Sequence, residues 1–301
     1  MSLLEGRVVV VTGGGRGLGR SHCLELARQG ARVVVDDVGS DLHGRPGDEP
    51  SPAETVVEEI LAEGGEAVAE HTSVSDWDGV RDLVERTVAR WGGIDAVVNN
   101  AGIVRDRMIT SLTEQDWDAV IDVHLKGTFT LTKHVCDLWR REAKAGRPVT
   151  GRIVNTTSGA GLFGNLGQAP YVAAKAAIAG LTLTTAMEME RFHVTANAIS
   201  PIALTRMTAD TALAGHTADG EWDPMDPDNA SPVVAWLCSR RSGWLTGAVL
   251  RIEGSSVVRV RPWSVDEPAR YRSRSGRRLE ATELDHGLRR AYDLFPRGLG
   301  G

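Results

Sequence analysis

The sequence predicts an α/β protein: a doubly wound parallel sheet in a single domain, followed by a C-terminal extension. Three observations predict it. The chain opens with a strand, a glycine-rich turn, a helix and a second strand in direct succession over residues 7–35. Short valine-rich runs then alternate with helical periodicities as far as residue 199, the pattern of a parallel sheet covered on both faces. Residues able to do chemistry collect where those runs end: Thr12, Asp37, Ser73, Asn100, Ser158 and Pro201. Open parallel sheets bind ligands beyond the carboxyl ends of their strands.

Taken in order, Arg7 to Val11 reads as a fully buried strand. Thr12-Gly13-Gly14-Gly15-Arg16-Gly17-Leu18-Gly19 follows at once, and Leu18 to Gln29 has helical periodicity closed by Gly30. Arg32 to Val35 is a second buried strand, ended by Asp36-Asp37. Glycines in such a turn let a pyrophosphate approach backbone N–H groups at a helix N-terminus. An acid closing the second strand suits the hydroxyls of an adenosine ribose. Asp36 and Asp37 point to opposite sides of the strand, so only one can be that ligand, and Asp37 is taken as it.

Residues 39–52 read as a loop, Ala53 to Glu63 as a helix and Ala67 to Ala69 as a short strand. Ser73-Val74 then falls where a strand end can touch adenine. Asp76 to Trp91 is a helix, Ala96 to Val98 a strand closed by Asn99-Asn100-Ala101-Gly102, and Thr113 to Trp139 one long helical stretch. Arg152 to Val154 leads to Ser158, Tyr171 to Arg191 is helical, and Val194 to Ile199 is the next strand. Residues 206–231 have mixed polarity and read as a substrate lid. A short helix at Pro232 to Cys238 and a last strand at Val249 to Ile252 complete a domain over residues 1–258. The extension, 259–301, is by turns arginine-rich and acidic and has no evident place in the core.

Composition bounds the function classes. The 301 residues are 42% hydrophobic and 25% charged, ordinary for a globular chain. A net charge of -6 gives no support for a nucleic-acid partner. Cys23, Cys136 and Cys238 are far apart, which suggests neither a disulfide framework nor a metal site and fits a reducing cytoplasm. No signal peptide and no run of eighteen apolar residues is present, so no membrane partner is expected.

The chemistry concentrates in residues 158–175. Ser158 stands thirteen residues before Tyr171, and Lys175 four after it. Four residues are about one helical turn, so phenol and ammonium share a face. An ammonium beside a phenol favours the phenolate, and a lowering of roughly three units from about 10 makes an acid/base that works near neutrality. The serine hydroxyl, arriving from the preceding loop, can hold a substrate oxygen. The set suits proton transfer to and from an alcohol or ketone.

With T-G-x-x-x-G-x-G at residues 12–19, N-N-A-G at 99–102 and Ser158…Tyr171-x-x-x-Lys175, the chain resembles the short-chain dehydrogenase/reductase family from Gly6 to Val258. The resemblance implies a Rossmann fold, a nicotinamide cofactor and hydride transfer at a carbon–oxygen bond. It makes Tyr171 the general acid/base, Lys175 the ligand of the nicotinamide ribose, and Ser158 the holder of the substrate oxygen. Gly13, Arg16, Gly17, Leu18 and Gly19 would receive the dinucleotide, with Asp37, Ser73, Val74, Asn100, Ala101 and Gly102. Tyr171, Lys175, Pro201, Ala203 and Thr205 would meet its nicotinamide half. Family members are commonly dimers or tetramers.

Several further stretches are similar to one branch, the (3R)-hydroxyacyl-CoA dehydrogenase domain of peroxisomal multifunctional enzyme type 2. They include V-V-V-x-D-x-G-x-D-x-x-G at 33–44, N-N-A-G-I-x-R-D-R at 99–107, V-H-L-x-G at 123–127 and G-N-x-G-Q-A-x-Y at 164–171. That resemblance implies oxidation of a 3-hydroxyacyl thioester, or of a bulky secondary alcohol such as a hydroxysteroid. A 3-oxoacyl-carrier-protein reductase running the opposite way is the alternative among enzymes. A dinucleotide-binding sensor without turnover is the alternative outside them.

Two positions depart from the wider family. His124 stands where an asparagine holds a water in a proton relay, and histidine can hold a water or carry a proton itself. Pro201-Ile202 replaces the usual Pro-Gly. Asn165, Gln168 and Leu162, between the serine and the tyrosine, are expected to line the substrate pocket. On the cofactor, the Asp37 carboxylate would accept ribose hydroxyls and repel a 2′-phosphate, whereas Arg16 would attract one. NAD is expected over NADP.

Overall fold

The computed structural model describes residues 2–45, 51–203 and 222–261, with isolated positions at 270, 272, 279, 281 and 284. Seven parallel strands form its centre: β1 (Val8–Thr12), β2 (Arg32–Asp36), β3 (Glu66–Glu70), β4 (Ala96–Asn99), β5 (Arg152–Thr156), β6 (Thr195–Ile202) and β7 (Val249–Glu253). An eighth, β8 (Ser256–Val260), returns antiparallel to β7. The spatial order is β3-β2-β1-β4-β5-β6-β7-β8, so the direction of winding reverses between β1 and β4. That doubly wound sheet is the expected Rossmann-like architecture, and the reversal marks its crevice.

Strand alternation sends successive valines to opposite faces. Val9, Val11, Val33 and Val35 pack with Leu26 of α1 (Gly17–Arg28), Ile60 of α2 (Pro52–Ala62) and Leu237 of α8 (Ser231–Cys238). Val10, Val34, Val97 and Ile153 pack with Leu83 of α3 (Trp77–Trp91), then Leu131 and Trp139 of α5 (Gly127–Lys144) and Met189 of α7 (Ala169–Met189). Neither face reaches water, which is why β1 reads as an unbroken apolar run.

Four differences from the sequence reading bear on the site. The single helix expected over Thr113–Trp139 is α4 (Glu114–Ile121), a π-helical turn (Asp122–Lys126) and α5, which runs on to Lys144. In that turn the Gly127 N–H reaches back to the Asp122 carbonyl, five residues away. Between Ser158 and Tyr171, read as loop, lies a short helix, α6 (Gly159–Phe163), whose N-cap is the Ser158 hydroxyl accepting from Ala160 N at 3.2 Å. Val249–Ile252 is not the last strand, because Gly254 takes φ 50° and turns the chain back into β8. Of the expected lid, residues 206–221 lie outside the described residues, as does Thr205 before it. Pro227–Ala230 forms a 3-10 turn, with Asp228 accepting from Ser21, and Ser231 Oγ lies 2.8 Å from His22 Nδ1. That part therefore packs on α1. Nearly all of the extension also lies outside the described residues.

Candidate active site

At the carboxyl end of β1, the Thr12 hydroxyl accepts from Asn100 N (3.1 Å) and Ala101 N (3.2 Å). The Asn100 amide returns the tie, donating to the Thr12 and Gly13 carbonyls at 3.2 and 3.0 Å. These bonds lock the loops after β1 and β4 together across the winding reversal. The turn between β1 and α1 is equally fixed. Gly13 has φ 62°, and a Cβ there would lie 2.8 Å from Ala101 Cα. A Cβ on Gly19 would lie 1.9 Å from the Gly13 carbonyl oxygen. Only glycine lets helix and strand approach this closely.

Beside this turn is a cleft of about 370 Å³. Gly13, Arg16, Gly17, Leu18, Gly19, Asp37, Ser73, Val74, Asn100, Ala101 and Gly102 all line it, whereas Tyr171, Lys175, Pro201 and Ala203 do not. The cradle of glycines, an open helix N-terminus and a carboxylate at the end of β2 fit a dinucleotide. The Asp37 carboxylate accepts from Gly15 N at 3.0 Å and Gly39 N at 2.8 Å, so it also shapes the loops around it. Asp36 also borders the cleft but is buried. Its carboxyl accepts from Thr72 N at 2.8 Å, and burial pushes its pKa up to about 8.

The sequence reading missed the cleft's roof. Leu42 and Gly44 lie across it, where Val104 N donates to the Leu42 carbonyl at 3.0 Å and Ile103 covers Gly44. Arg16 donates to the Ser40 carbonyl at 3.0 Å, which ties the glycine turn to the same roof. The quoted G-x-D-x-x-G run was the available signal, but a glycine-rich stretch alone does not say what it folds onto.

Ser158, Tyr171 and Lys175 come together beyond β5. The Ser158 hydroxyl lies near the Tyr171 phenol, where it favours the phenolate. Lys175 Nζ lies 5.7 Å from the centre of the Tyr171 ring and donates to the Thr156 carbonyl at 2.7 Å. Thr157 Oγ1 donates to the Lys175 carbonyl at 2.7 Å, so β5 and α7 are tied at the lysine from both sides. Pro201 is half-buried and Ala203 buried near the end of β6.

The electrostatics correct one expectation. Lys175 does not hold the phenol below its ordinary value. Burial raises the Tyr171 pKa, the Ser158 hydroxyl opposes that rise, and the Asp106 charge adds to it. Lys175 is itself buried, which brings its pKa from 10.5 down to about 7. At neutrality its charge is therefore partial, and its nitrogen is committed to a carbonyl.

His124 sits in the π-helical turn with 1% of its surface exposed. Its ring stands edge-on to that of Tyr171, centroids 5.2 Å apart at 88°. Nε2 lies 2.7 Å from the Ile103 carbonyl oxygen and 3.1 Å from Ile103 N, and Nδ1 has no protein partner. Burial and the neighbouring Lys175 charge lower its pKa to about 3. At neutrality the imidazole is therefore uncharged.

Asn165 and Gln168 face each other rather than standing free. Asn165 Nδ2 donates to Gln168 Oε1, and Gln168 Nε2 donates to the Asp106 carboxylate, both at 2.8 Å. Leu162 lies half-buried beside Ala179, Ala198 and Val249. Among the described residues no cluster of histidine, cysteine and acidic side chains could hold a metal ion.

The comparisons with known proteins agree with this geometry. Residues 7–214 match the short chain dehydrogenase family, and the chain belongs to it. It is an oxidoreductase of that family, whose members bind a nicotinamide cofactor. The hydroxyacyl-CoA dehydrogenase ChsB1 of Mycobacterium tuberculosis is 42% identical over 292 residues, covering 95% of this chain and 88% of that one. The peroxisomal multifunctional enzyme type 2 of Drosophila melanogaster is 40% identical over 88% of this chain, which spans 43% of the longer protein. The crystal structure of a short chain dehydrogenase from Mycobacterium avium superposes with a TM-score of 0.85 at 47% identity, covering 96% of this chain and 95% of that one. Among the described residues no helix is long and apolar enough to cross a membrane.

Proposed function

We propose that the chain oxidises a (3R)-hydroxyacyl-CoA to the 3-oxoacyl thioester with NAD. The observation that carries this reading is the Ser158–Tyr171–Lys175 cluster set beside a cleft built for a dinucleotide. The names of the relatives support the substrate class, since two are hydroxyacyl-CoA or peroxisomal multifunctional enzymes. Exposed Met108, Ile109, Phe163 and Leu166 flank the Asp106–Gln168 contact and suit an apolar acyl chain. Asp37 favours NAD, because a 2′-phosphate would meet its carboxylate. We infer a cytoplasmic dimer or tetramer from the family habit and from three cysteines that are all free.

Bound nicotinamide supplies the hydride acceptor. Ser158 holds the substrate hydroxyl, and Tyr171 in its ionised form takes the proton as the O–H bond breaks. Lys175, with its pKa near neutrality, can give up and regain a proton on the inner side of the phenol. His124 Nδ1, which has no protein partner, offers a site for a water that passes protons outward. Thr12, Asn100 and the glycine turn hold the cofactor cradle in one shape.

The test is Tyr171→Phe assayed with a 3-hydroxyacyl-CoA and NAD. Turnover should fall by ~100-fold or more with NAD affinity unchanged. Near-normal turnover would remove the assignment. Initial rates with NADH and NADPH on the 3-oxoacyl thioester test the cofactor, and a strong NADPH preference would overturn the reading of Asp37.

A further inference from the structure

The R-D-R run at residues 105–107 has no part in the chemistry above, yet it lies between the cofactor cleft and the tyrosine. Its backbone is a strap held at three points. His124 Nε2 is 2.7 Å from the Ile103 carbonyl oxygen, and Val104 N donates to Leu42 of the roof. Arg107 N donates to the Gly167 carbonyl at 2.8 Å, forming a parallel bridge with Gln168. Arg107 pairs with Asp116 at 3.3 Å, and the charge of Arg105 also acts on Asp116. Asp106 turns to the catalytic loop, where its exposed carboxylate accepts from Gln168 Nε2 at 2.8 Å.

Gln168 is the N-cap of α7, three residues before Tyr171, and its side chain makes no capping bond to its own helix. Its amide is spent on Asp106 and Asn165 instead. Because α7 begins at Ala169, whatever holds Gln168 sets the azimuth of the turn from which the phenol projects.

We propose that Asp106 is a positioning residue for the reaction: through Gln168 it fixes the first turn of the helix that carries Tyr171. This rests on the reading of Tyr171 as the acid/base. A second consequence follows from its charge. Ser158 from the α6 cap, Lys175 from its own helix and His124 from the π-helical turn stand around the phenol, and the charge of Asp106 acts on it from the strap. Lys175 is partly neutral and His124 wholly so near pH 7, and Ser158 does not titrate. Asp106 is the anion among them, and it disfavours the phenolate.

The experiment measures kcat and KM across pH 6 to 10 for the wild type, Asp106→Asn, Asp106→Ala and Tyr171→Phe, with any secondary alcohol the wild type oxidises. Asparagine still accepts from Gln168 but carries no charge. Asp106→Ala should lower kcat about 10-fold with KM for NAD unchanged, the signature of a misplaced acid/base. Asp106→Asn should restore kcat and move its rising limb to lower pH. If Asp106→Ala keeps both the wild-type kcat and the wild-type limb, or if Asp106→Asn is as slow as Asp106→Ala with an unmoved limb, the proposal is overturned. Should the alanine variant fail to fold, the limb of the asparagine variant decides alone. A wild-type rate in Tyr171→Phe would instead sink the reading of the tyrosine, so the two failures are told apart.

Discussion

The imidazole of His124 stands perpendicular to the ring of Tyr171, 5.2 Å away, and it occupies the space that a side chain on Gly102 would need. A Cβ at residue 102 would lie 2.3 Å from His124 Cε1. The third residue after Asn99 must therefore be glycine for a reason unrelated to its own backbone freedom.

Gly102→Ala should displace the imidazole and lower turnover. Because the damage runs through one ring, Gly102→Ala combined with His124→Ala should be no slower than His124→Ala alone. Residues in contact depart from additivity by about 0.5–3 kcal/mol. Rates of the two single variants and the double variant check it, and independent, multiplicative losses would contradict it.

Lys175 carries a stability cost. Its pKa is about 7 in the fold against 10.5 when exposed, so between these values the unfolded chain binds the extra proton. Stability therefore rises with pH across that window, and the cost is greatest below pH 7. Lys175→Met should abolish most turnover yet raise the melting temperature, and the gain should shrink as pH approaches 10. A variant less stable than the wild type at pH 6 would show that the bond to Thr156 outweighs the buried charge.

Asp36 has the opposite sign. Its pKa is about 8 when buried and 3.8 otherwise, so the folded chain holds the extra proton and stability falls as pH rises from about 4 to 8. Asp36→Asn keeps an acceptor for Thr72 N and should raise the melting temperature more at pH 8 than at pH 4. Equal gains at both would refute the ionisation argument.

Asp37 receives two backbone N–H groups as well as facing the cleft. Asp37→Ala should weaken NAD binding by about 10-fold or more, the scale of lost charge-assisted bonds, and narrow any preference over NADP. Titration with both dinucleotides measures it, and an unchanged ratio would detach cofactor choice from this residue.

The parallel sheet was legible because β1, β2 and β4 are buried on both faces and so read as plain valine runs. The residues of the cleft were legible because they sit at strand ends in fixed order. The irregular parts were not. The π-helical turn shares the apolar spacing of the helices on either side, so periodicity runs straight through Asp122–Lys126. The roof at Leu42–Gly44 and the strap at Ile103–Arg107 are held by backbone bonds, which leave no mark on side-chain pattern. The acidity of Tyr171 was misjudged because spacing reports which groups are close, whereas burial decides how much charge each keeps.

The wide turn at Asp122–Lys126 makes the helix one residue out of step with a regular winding. Excising a single residue there would let the hydrogen-bond ladder close normally and leave the helix better ordered by any spectroscopic measure. The same repair would swing residue 124 round the axis by about a quarter turn, away from the phenol. On the role proposed for His124, a more perfect helix would make a poorer catalyst.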